Sequence, residues 1–528
     1  MSSEAGRSLQ VGIVGAGVMG RGIAQVMAHA GSRVLLHDAD PQAAARAVEA
    51  VGQAWQRLSD KGRLDAADVA VNRSRIRVVQ TLSDMADCDV VIEAIVERLD
   101  VKQTLFAALE KVVRADTVLA TNTSSLSVTA IAAGCANPER IAGLHFFNPV
   151  PLMRIVEIIG GVRTARTAVE RLKALVATTS HAGVEVQDTP GFLVNHAGRG
   201  YTTEALRCVQ EGVASFADVD LIMREQVRFG GGGFRLGPFE LLDLTGLDVS
   251  QAVMESIYRQ FYEEPRFRPS VIGAQRMTAG LFGRKTGQGF YTYPAEGASG
   301  NSGDGRAGGA SADGKTAVPT TQTGAAVPVF LAADDHASSL RGLVERLGGR
   351  LVDTPAETSD GIVLIAPLGD DATTYCVRHS LPADRTVAID VLFDPAAEGC
   401  RRRSLMPTVA TAPEALRTAA ALFAADGAAV SLLRDSSGFV AQRIVAMIVS
   451  IGTEIAQQRI ARPADIDLAV RAGLGYPAGP LSMGDEIGPQ RVLRILEAIH
   501  ANTGDPRYRP GGWLRRRALL GLSLLVED

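Results

Sequence analysis

The feature that most constrains this chain is a glycine motif near its start, Gly15-Ala-Gly17-Val-Met-Gly20. It follows an apolar run at Val11–Val14 and precedes a helical pattern at Arg21–His29. In that context the glycines allow a tight turn, close approach of a pyrophosphate to the backbone, and close packing of helix on strand. The helix start also offers free N–H groups to phosphates. The motif therefore predicts a dinucleotide-binding βαβ unit.

An acidic residue follows the second predicted strand, Val34–Leu36. Asp38 lies 18 residues beyond Gly20. A carboxylate at that position accepts hydrogen bonds from an adenosine ribose. No Arg or Lys stands within the next seven residues to bind a 2′-phosphate. The sequence therefore favours NAD over NADP.

The first 190 residues alternate strand-like and helix-like patterns, with helical periodicity at Pro41–Leu58 and Val101–Val113. This alternation is typical of a parallel sheet covered by helices on both faces. The remaining predicted strands are Asp89–Ile95, Thr117–Thr121 and Ile141–Phe147.

The pattern then changes four times. Residues 190–293 show long helical patterns, with Pro190 at a predicted helix start and Asp188 and Thr189 as its capping residues. The stretch 295–325 has no Leu, Ile, Met or aromatic residue, so we interpret it as a flexible linker. Strand patterns return at Val327–Leu331, Ile362–Pro367 and Val387–Phe393, and helical patterns resume from Gly438.

Five short blocks recur in the same order in the two halves. DTPGF at 188–192 recurs as DSSGF at 435–439, and ADVD at 217–220 recurs as ADID at 464–467, both 247 residues later. A repeat of this length indicates a duplicated domain. The other blocks are Gly237-Pro238, Asp243 and PRFRP at 265–269, which recur as Gly479-Pro480, Asp485 and PRYRP at 506–510. The predicted domains are 1–189 (dinucleotide-binding), 190–294 (helical, first copy), 295–325 (linker), 326–434 (reduced α/β, without a glycine motif) and 435–528 (helical, second copy).

Composition disfavours several classes of protein. The net charge is −4, so no basic face for nucleic acid is expected. No apolar run reaches the roughly 18 residues that span a bilayer, and the start MSSEAGRSLQ lacks the apolar core of a signal peptide. The five cysteines are scattered and form no CxxC pair, so neither a disulfide framework nor a metal site is expected. We therefore expect a cytoplasmic enzyme with no nucleic-acid or membrane partner.

A histidine and a glutamate stand in unusually apolar surroundings. His145 lies in GLHFFNP, and Glu157 lies between two apolar pairs in IVEII. An isolated histidine of this kind is usually structural, whereas a lone buried carboxylate is energetically costly. Pairing the two explains both, and a carboxylate-oriented imidazole can accept a hydroxyl proton near neutral pH.

Two further polar sites are ambiguous from residue types alone. The run TNTSS at 121–125 ends a predicted strand, where ligands of open α/β sheets bind, but it also suits a helix cap or a turn. Asn195, near the start of a helix, is either a core hydrogen-bonding residue or a donor to an enolate-like oxygen.

The ordered motifs GAGVMG, TNTSSL, HFFNPVPLMRIVEII, DTPGFLVN and GRKTGQGFY resemble those of the L-3-hydroxyacyl-CoA dehydrogenases of fatty-acid and aromatic-acid catabolism. The resemblance covers about residues 9–293. It implies a Rossmann-type domain followed by an all-helical domain. It also implies reversible NAD-dependent oxidation of L-3-hydroxyacyl-CoA, with 3-hydroxybutyryl-CoA and 3-hydroxyadipyl-CoA (from phenylacetate breakdown) as plausible substrates.

The same resemblance assigns roles to individual residues. It implies that His145 is the catalytic base, that Glu157 orients it, and that Ser124 and Asn195 polarise the substrate. Lys61, with Ser124, falls at a CoA-binding position. The implied NAD contacts are Gly15, Gly17, Val18, Met19, Gly20, Asp38, Glu97, Lys102, Ser124, Asn148 and Lys285.

The second half resembles longer bacterial members with a repeated helical domain. It has no counterpart of the His/Glu pair, and Gln442 stands where the first copy has Asn195. We interpret it as a catalytically inactive structural or substrate-capping module. We expect the two helical copies to pack as a pseudo-dimer within the chain, so that any higher oligomer uses another surface. The alternatives are a β-hydroxyacid dehydrogenase that uses lysine and a non-catalytic NAD(H)-sensing or scaffold protein.

Overall fold

A computed structural model describes residues 8–294, 326–332 and 337–528, so the predicted linker at 295–325 lies outside the described residues. The chain forms two compact units. Unit 1 comprises the chain up to His196 together with Gln458–Leu474, and unit 2 comprises Ala197–Gln457 and Gly475–Asp528. Within the described ranges, no helix is long and apolar enough to cross a membrane.

Unit 1 is built on an eight-stranded sheet with the strand order β3-β2-β1-β4-β5-β6-β7-β8. All neighbouring strands are parallel except β6 and β7, which are antiparallel. The strands are β1 (Gln10–Val14), β2 (Arg33–His37), β3 (Ile76–Val78), β4 (Val90–Glu93), β5 (Val118–Thr121), β6 (Ile141–Phe146), β7 (Ile155–Gly160) and β8 (Ala182–Gln187).

Helices cover both faces of this sheet and bury two apolar clusters against it. The expected Rossmann-type α/β fold, with helices on both faces of the sheet, is therefore confirmed. The helices of this part are α1 (Val18–His29), α2 (Pro41–Asp60), α3 (Ala66–Ser74), α4 (Leu99–Leu109), α5 (Val128–Ala132), α6 (Arg166–Ala177) and α7 (Val194–Ala197).

Three local expectations differ from the structure. Helix α1 begins at Val18, three residues before the predicted start, because the Arg21 N–H already donates to the Gly17 carbonyl. The helix predicted to begin at Pro190 begins only at Val194, after a turn, and Asp188 does not cap it. Instead, its carboxylate accepts N–H groups from Val128 and Thr129 and caps α5, since that helix start lies beside it in the folded sheet.

Unit 2 contains the first helical region, a second sheet and most of the second helical region. The first region comprises α8 (Arg199–Gln210), α9 (Phe216–Glu225), α10 (Pro238–Thr245), α11 (Leu247–Gln260) and α12 (Val271–Thr278). The second sheet has the order β10-β9-β11-β12-β13-β14. Its strands are β9 (Val327–Ala332), β10 (Gly349–Val352), β11 (Ile362–Ile365), β12 (Thr386–Ile389), β13 (Arg402–Pro407) and β14 (Ala429–Leu432).

The second sheet repeats the first on a smaller scale. Strands β12 and β13 are antiparallel and β13 and β14 are parallel, which is the arrangement of β6, β7 and β8. The reduced α/β domain predicted from the sequence is therefore confirmed. Its helices are α13 (Ala337–Arg346), α14 (Ala372–Arg378) and α15 (Pro413–Phe423).

The second helical region follows this sheet. It comprises α16 (Val440–Gln457), α17 (Pro463–Leu474), α18 (Pro480–Ile487), α19 (Pro489–Thr503) and α20 (Gly512–Leu520). Helix α17 belongs to unit 1, where it packs on β7 and β8.

Candidate active site

The glycine motif forms a turn between β1 and α1, and two of its three glycine positions have no room for a side chain. Gly15 has a φ of 104°, and a Cβ added there would lie 2.4 Å from the Ala94 carbonyl oxygen. A Cβ added at Gly20 would lie 1.8 Å from the Gly15 oxygen. At Gly17, by contrast, an added Cβ meets nothing within 4 Å. Gly15 and Gly20 therefore allow close packing, and Gly17 leaves open space at the N-terminus of α1.

The residues around this turn fit an adenine dinucleotide. One Asp38 carboxylate oxygen accepts the Ala16 N–H at 2.7 Å, and the other accepts the Asp40 N–H at 2.9 Å. Asp38 is therefore fixed at the edge of a cavity of about 940 Å³ that Gly15 and Gly17 also line. Each carboxylate oxygen keeps a lone pair for a ribose hydroxyl. The open face at Gly17, the helix N-terminus and the carboxylate are the groups that NAD requires.

His145 and Glu157 face each other across the antiparallel pair β6 and β7. His145 Nδ1 lies 2.6 Å from Glu157 Oε2, and both residues are buried. An ionised carboxylate only accepts hydrogen bonds, so Nδ1 carries the proton and Nε2 keeps its lone pair. The rings of Phe147 and Phe192 pack beside the imidazole, with centroid distances of 4.4 and 5.8 Å. The arrangement can therefore accept a proton at Nε2 in a largely apolar setting.

The other Glu157 oxygen is held by backbone. Oε1 accepts the N–H of Leu193 at 2.9 Å and that of Val194 at 2.8 Å. The preceding Gly191 and Phe192 have φ values of 74° and 50°, and this left-handed turn aims the next two N–H groups at the carboxylate. Such strained turns are frequent at functional sites. The DTPGF motif therefore builds the support of Glu157, a role that its sequence pattern did not reveal.

Ser124 lies in a loop after β5 that is fastened by Glu97. One Glu97 oxygen accepts the N–H groups of Ser124 and Ser125 and the hydroxyls of Thr123 and Ser125. Burial raises the pKa of Glu97, but these hydrogen bonds and the Lys102 ammonium outweigh it and hold the pKa below its usual value. Thr123 also accepts the Leu126 N–H. The loop is thus a turn fastened to a carboxylate.

Lys102 contacts Glu97, the carboxylate that fastens this loop. Its side chain is 1% exposed, and its ammonium lies between the carboxylates of Glu93 and Glu97. Glu93 is a buried residue of this cluster that the sequence analysis did not single out. The signal was available, because Glu93 ends an apolar strand as an isolated carboxylate, just as Glu157 interrupts one. The implied contact of Lys102 with NAD stays a prediction.

The other implied contacts are placed as follows. Val18 is exposed and Met19 half-buried in the first turn of α1. Asn148 follows β6 and precedes a cis proline peptide, and Asn195 lies in α7. Lys61 caps the C-terminus of α2 and is exposed. Lys285 lies in unit 2, where its ammonium pairs with Asp248.

The second sheet repeats the strand pairing without the same chemistry. Ser404 follows Glu157 by 247 residues, and the Asp390 N–H donates to the Ser404 carbonyl at 3.1 Å. Asp390 and Ser404 thus occupy the places of His145 and Glu157. A carboxylate and a hydroxyl replace the imidazole and the carboxylate there.

Comparisons with known proteins identify the family of both halves of the chain. The NAD-binding domain model of 3-hydroxyacyl-CoA dehydrogenase matches residues 10–189. The C-terminal domain model of the same family matches twice, at 191–293 and 438–523, which confirms the duplication.

Two relatives from Escherichia coli cover nearly the whole chain, and others cover its first half. A 3-hydroxyadipyl-CoA dehydrogenase from Escherichia coli is 36% identical over 97% of both chains. The crystal structure of a 3-hydroxybutyryl-CoA dehydrogenase from Escherichia coli has a TM-score of 0.80 and 34% identity, and covers 97% of this chain and 99% of that one. The mitochondrial hydroxyacyl-coenzyme A dehydrogenase of Homo sapiens is 38% identical, over 54% of this chain and 90% of its own. This chain therefore belongs to the NAD-dependent 3-hydroxyacyl-CoA dehydrogenase family.

Proposed function

We propose that this chain catalyses the reversible oxidation of an L-3-hydroxyacyl-CoA to a 3-oxoacyl-CoA with NAD. The observation that carries the proposal is the buried pair of His145 and Glu157, 2.6 Å apart, with Nε2 free to take a proton. The glycine motif and Asp38 would hold NAD, which would supply the hydride acceptor for C3 of the substrate.

The residues of the chain act on the hydroxyl group and its proton. His145 accepts the 3-hydroxyl proton at Nε2 and returns it in the reverse reaction. Glu157 fixes the tautomer and stabilises the imidazolium. Ser124 and Asn195 donate hydrogen bonds to the substrate oxygens, and Lys61 pairs with a phosphate of CoA.

An NADH oxidation assay with acetoacetyl-CoA tests this proposal against the sensor alternative. The expected result is loss of NADH absorbance that depends on both substrates. A protein that binds NADH tightly but never oxidises it, with any 3-oxoacyl-CoA supplied, would instead be a sensor or scaffold. A sensor or scaffold would not need a buried imidazole paired with a carboxylate, so that alternative leaves the His145–Glu157 pair unexplained.

The acyl group that the enzyme prefers is a separate question. We propose that 3-hydroxybutyryl-CoA and 3-hydroxyadipyl-CoA are both substrates, supported by the names of the two Escherichia coli relatives. Comparing kcat/KM across a panel of CoA thioesters tests this. The cytoplasm is the compartment we propose, because the chain has five scattered cysteines and no CxxC pair.

Asn195 and Gln442 offer a matched pair of substitutions. Gln442 is buried, and its amide bonds the Pro367 carbonyl, the Gly369 N–H and the Asp390 carboxylate. We expect Asn195→Ala to lower kcat about 10²–10³-fold, the usual effect of removing one oxyanion donor. Gln442→Ala should leave kcat unchanged and lower the free energy of unfolding by about 1–3 kcal/mol, because buried partners lose their bonds. Equal losses of kcat at both positions would mean that the second half has a working site.

Cofactor choice is expected to depend on Asp38. Asp38→Ser combined with Ala39→Arg removes a charge that repels a 2′-phosphate and adds one that binds it. A charge-assisted hydrogen bond is worth about 1.5–3 kcal/mol, so the ratio of kcat/KM for NAD over NADP should fall about 10- to 10²-fold. Equal use of both cofactors by the wild type would contradict the assignment.

We further propose the domain boundaries given by the sequence and a pseudo-dimer of the two helical copies. Helix α8 packs along α16, and a Cβ added at Gly200 would lie 2.9 Å from the Ile448 Cα. Met447, adjacent to that contact, follows Gly200 by 247 residues. The repeated PRFRP and PRYRP segments also meet, where Arg507 donates to the carbonyl of its counterpart Arg266 at 3.4 Å. Contacts between equivalent positions support a two-fold-like arrangement.

A fragment tests the pseudo-dimer. Residues 1–309 keep α8 but lose α16, which leaves the face of α8 uncovered. We expect this fragment to homodimerise or aggregate in light scattering. A monomeric, soluble and fully active fragment would refute the arrangement.

A further inference from the structure

Helix α17 comes from the second helical copy but lies in the unit that holds the His145–Glu157 pair. It packs on β7, the strand of Glu157, and on β8. The Gln187 N–H at the end of β8 donates to the Ile460 carbonyl just before the helix, at 2.8 Å. The second copy therefore covers the edge of the first sheet beside the site.

The contact that matters most is made by Gly473, near the end of α17. A Cβ added there would lie 3.0 and 3.2 Å from the two methyl groups of Val194 and 3.5 Å from Ile155. Val194 is buried, and its N–H is one of the two that hold Glu157. Any side chain at position 473 therefore pushes on the residue that supports the catalytic carboxylate.

The corresponding position beside the second sheet carries a side chain instead of glycine. Gln226 precedes Gly473 by 247 residues and ends α9, which packs on β13. Its amide donates to an Asp390 carboxylate oxygen at 2.8 Å and accepts the Ser404 hydroxyl at 2.6 Å. A long polar side chain thus fills the vestigial site at the position where the His145–Glu157 site has glycine.

We propose that the second helical copy is a working part of the first copy's active site, and that Gly473 is a positioning residue that keeps the Val194 N–H on Glu157. This inference rests on the proposed function, because it assigns Glu157 a role in turnover. On this proposal, the function of the second half is to supply α17 to the first α/β domain. The first α/β domain is then incomplete without the repeat.

The test is Gly473→Val in the full-length protein, with Ala464→Val as the matched control. Ala464 is exposed on the same helix, so both variants add a β-branched residue to α17. We expect Gly473→Val to lower kcat about 10- to 10²-fold, the effect of a small misplacement of a catalytic group. The KM for acyl-CoA and the Kd for NADH should hardly change, and Ala464→Val should behave as wild type.

A rescue separates positioning from a loss of folding. Val194→Ala removes the two methyl groups that Gly473→Val meets, so the double variant should recover the kcat of Val194→Ala alone. If Gly473→Val fails to fold, Gly473→Ala allows the same comparison, because its smaller side chain displaces Val194 less. Unchanged kcat in the folded Gly473 variants, or a loss that Val194→Ala does not relieve, overturns the inference. An inactive wild type would instead overturn the proposed function.

Discussion

Replacing His145 by Ala is expected to lower kcat about 10²–10⁴-fold, the usual contribution of a general acid/base. The imidazole is the group whose free Nε2 can take the hydroxyl proton, since its Nδ1 is committed to Glu157. The Kd for NADH should stay near the wild-type value, because His145 is not among the proposed cofactor contacts. Steady-state kinetics and fluorescence titration with NADH measure the two quantities separately.

The result of this substitution also decides between mechanisms. A variant that retains most of its turnover would exclude His145 as the base and reopen the lysine-based alternative. A variant that loses NADH binding as well as turnover would show that the pair supports the fold rather than the chemistry.

The second large effect is expected for Glu157→Gln, which should lower kcat about 10³–10⁴-fold. Carboxylates that fix a catalytic imidazole in other enzymes have effects of this size. The geometry leaves the amide one orientation. Two N–H groups, from Leu193 and Val194, point at Oε1 and require an oxygen there. The new NH₂ group must then face His145 Nδ1. To accept its hydrogen bond, Nδ1 has to present a lone pair, and the imidazole then carries its proton on Nε2. The imidazole would be held in the tautomer that cannot accept the substrate proton.

The double variant His145→Ala with Glu157→Gln provides the control. Because the two residues act as one unit, it should be no slower than His145→Ala alone. Additive losses would show that Glu157 contributes to turnover by another route. A Glu157→Gln variant with wild-type kcat would show that the tautomer is set by other contacts.

Much of the site was predictable because its parts follow local rules. The glycine motif needs only a strand, a turn and a helix, and these are consecutive in sequence. The pairing of His145 with Glu157 was predictable for a different reason, since each residue alone would be a costly buried polar group. Both features can be recognised from residue types and from spacings that are short in sequence.

The supports of the site could not be read in this way. Any residue can donate a backbone N–H, so the roles of Leu193 and Val194 depend on a left-handed turn at Gly191 and Phe192. Asp188 looked like a cap for its own helix but caps α5, because a carboxylate binds whichever free N–H groups the fold brings near.

By itself, then, the sequence determined the α/β class, the cofactor, the duplication and the pairing of His145 with Glu157, because each leaves a local pattern of apolar, glycine or charged residues. Only the tertiary structure decided which elements surround that pair. Helix α17 follows Glu157 by some 300 residues and still packs on its strand. Such a contact depends on matching shapes between distant segments, and a glycine such as Gly473 carries no sign of its partner until the chain is folded.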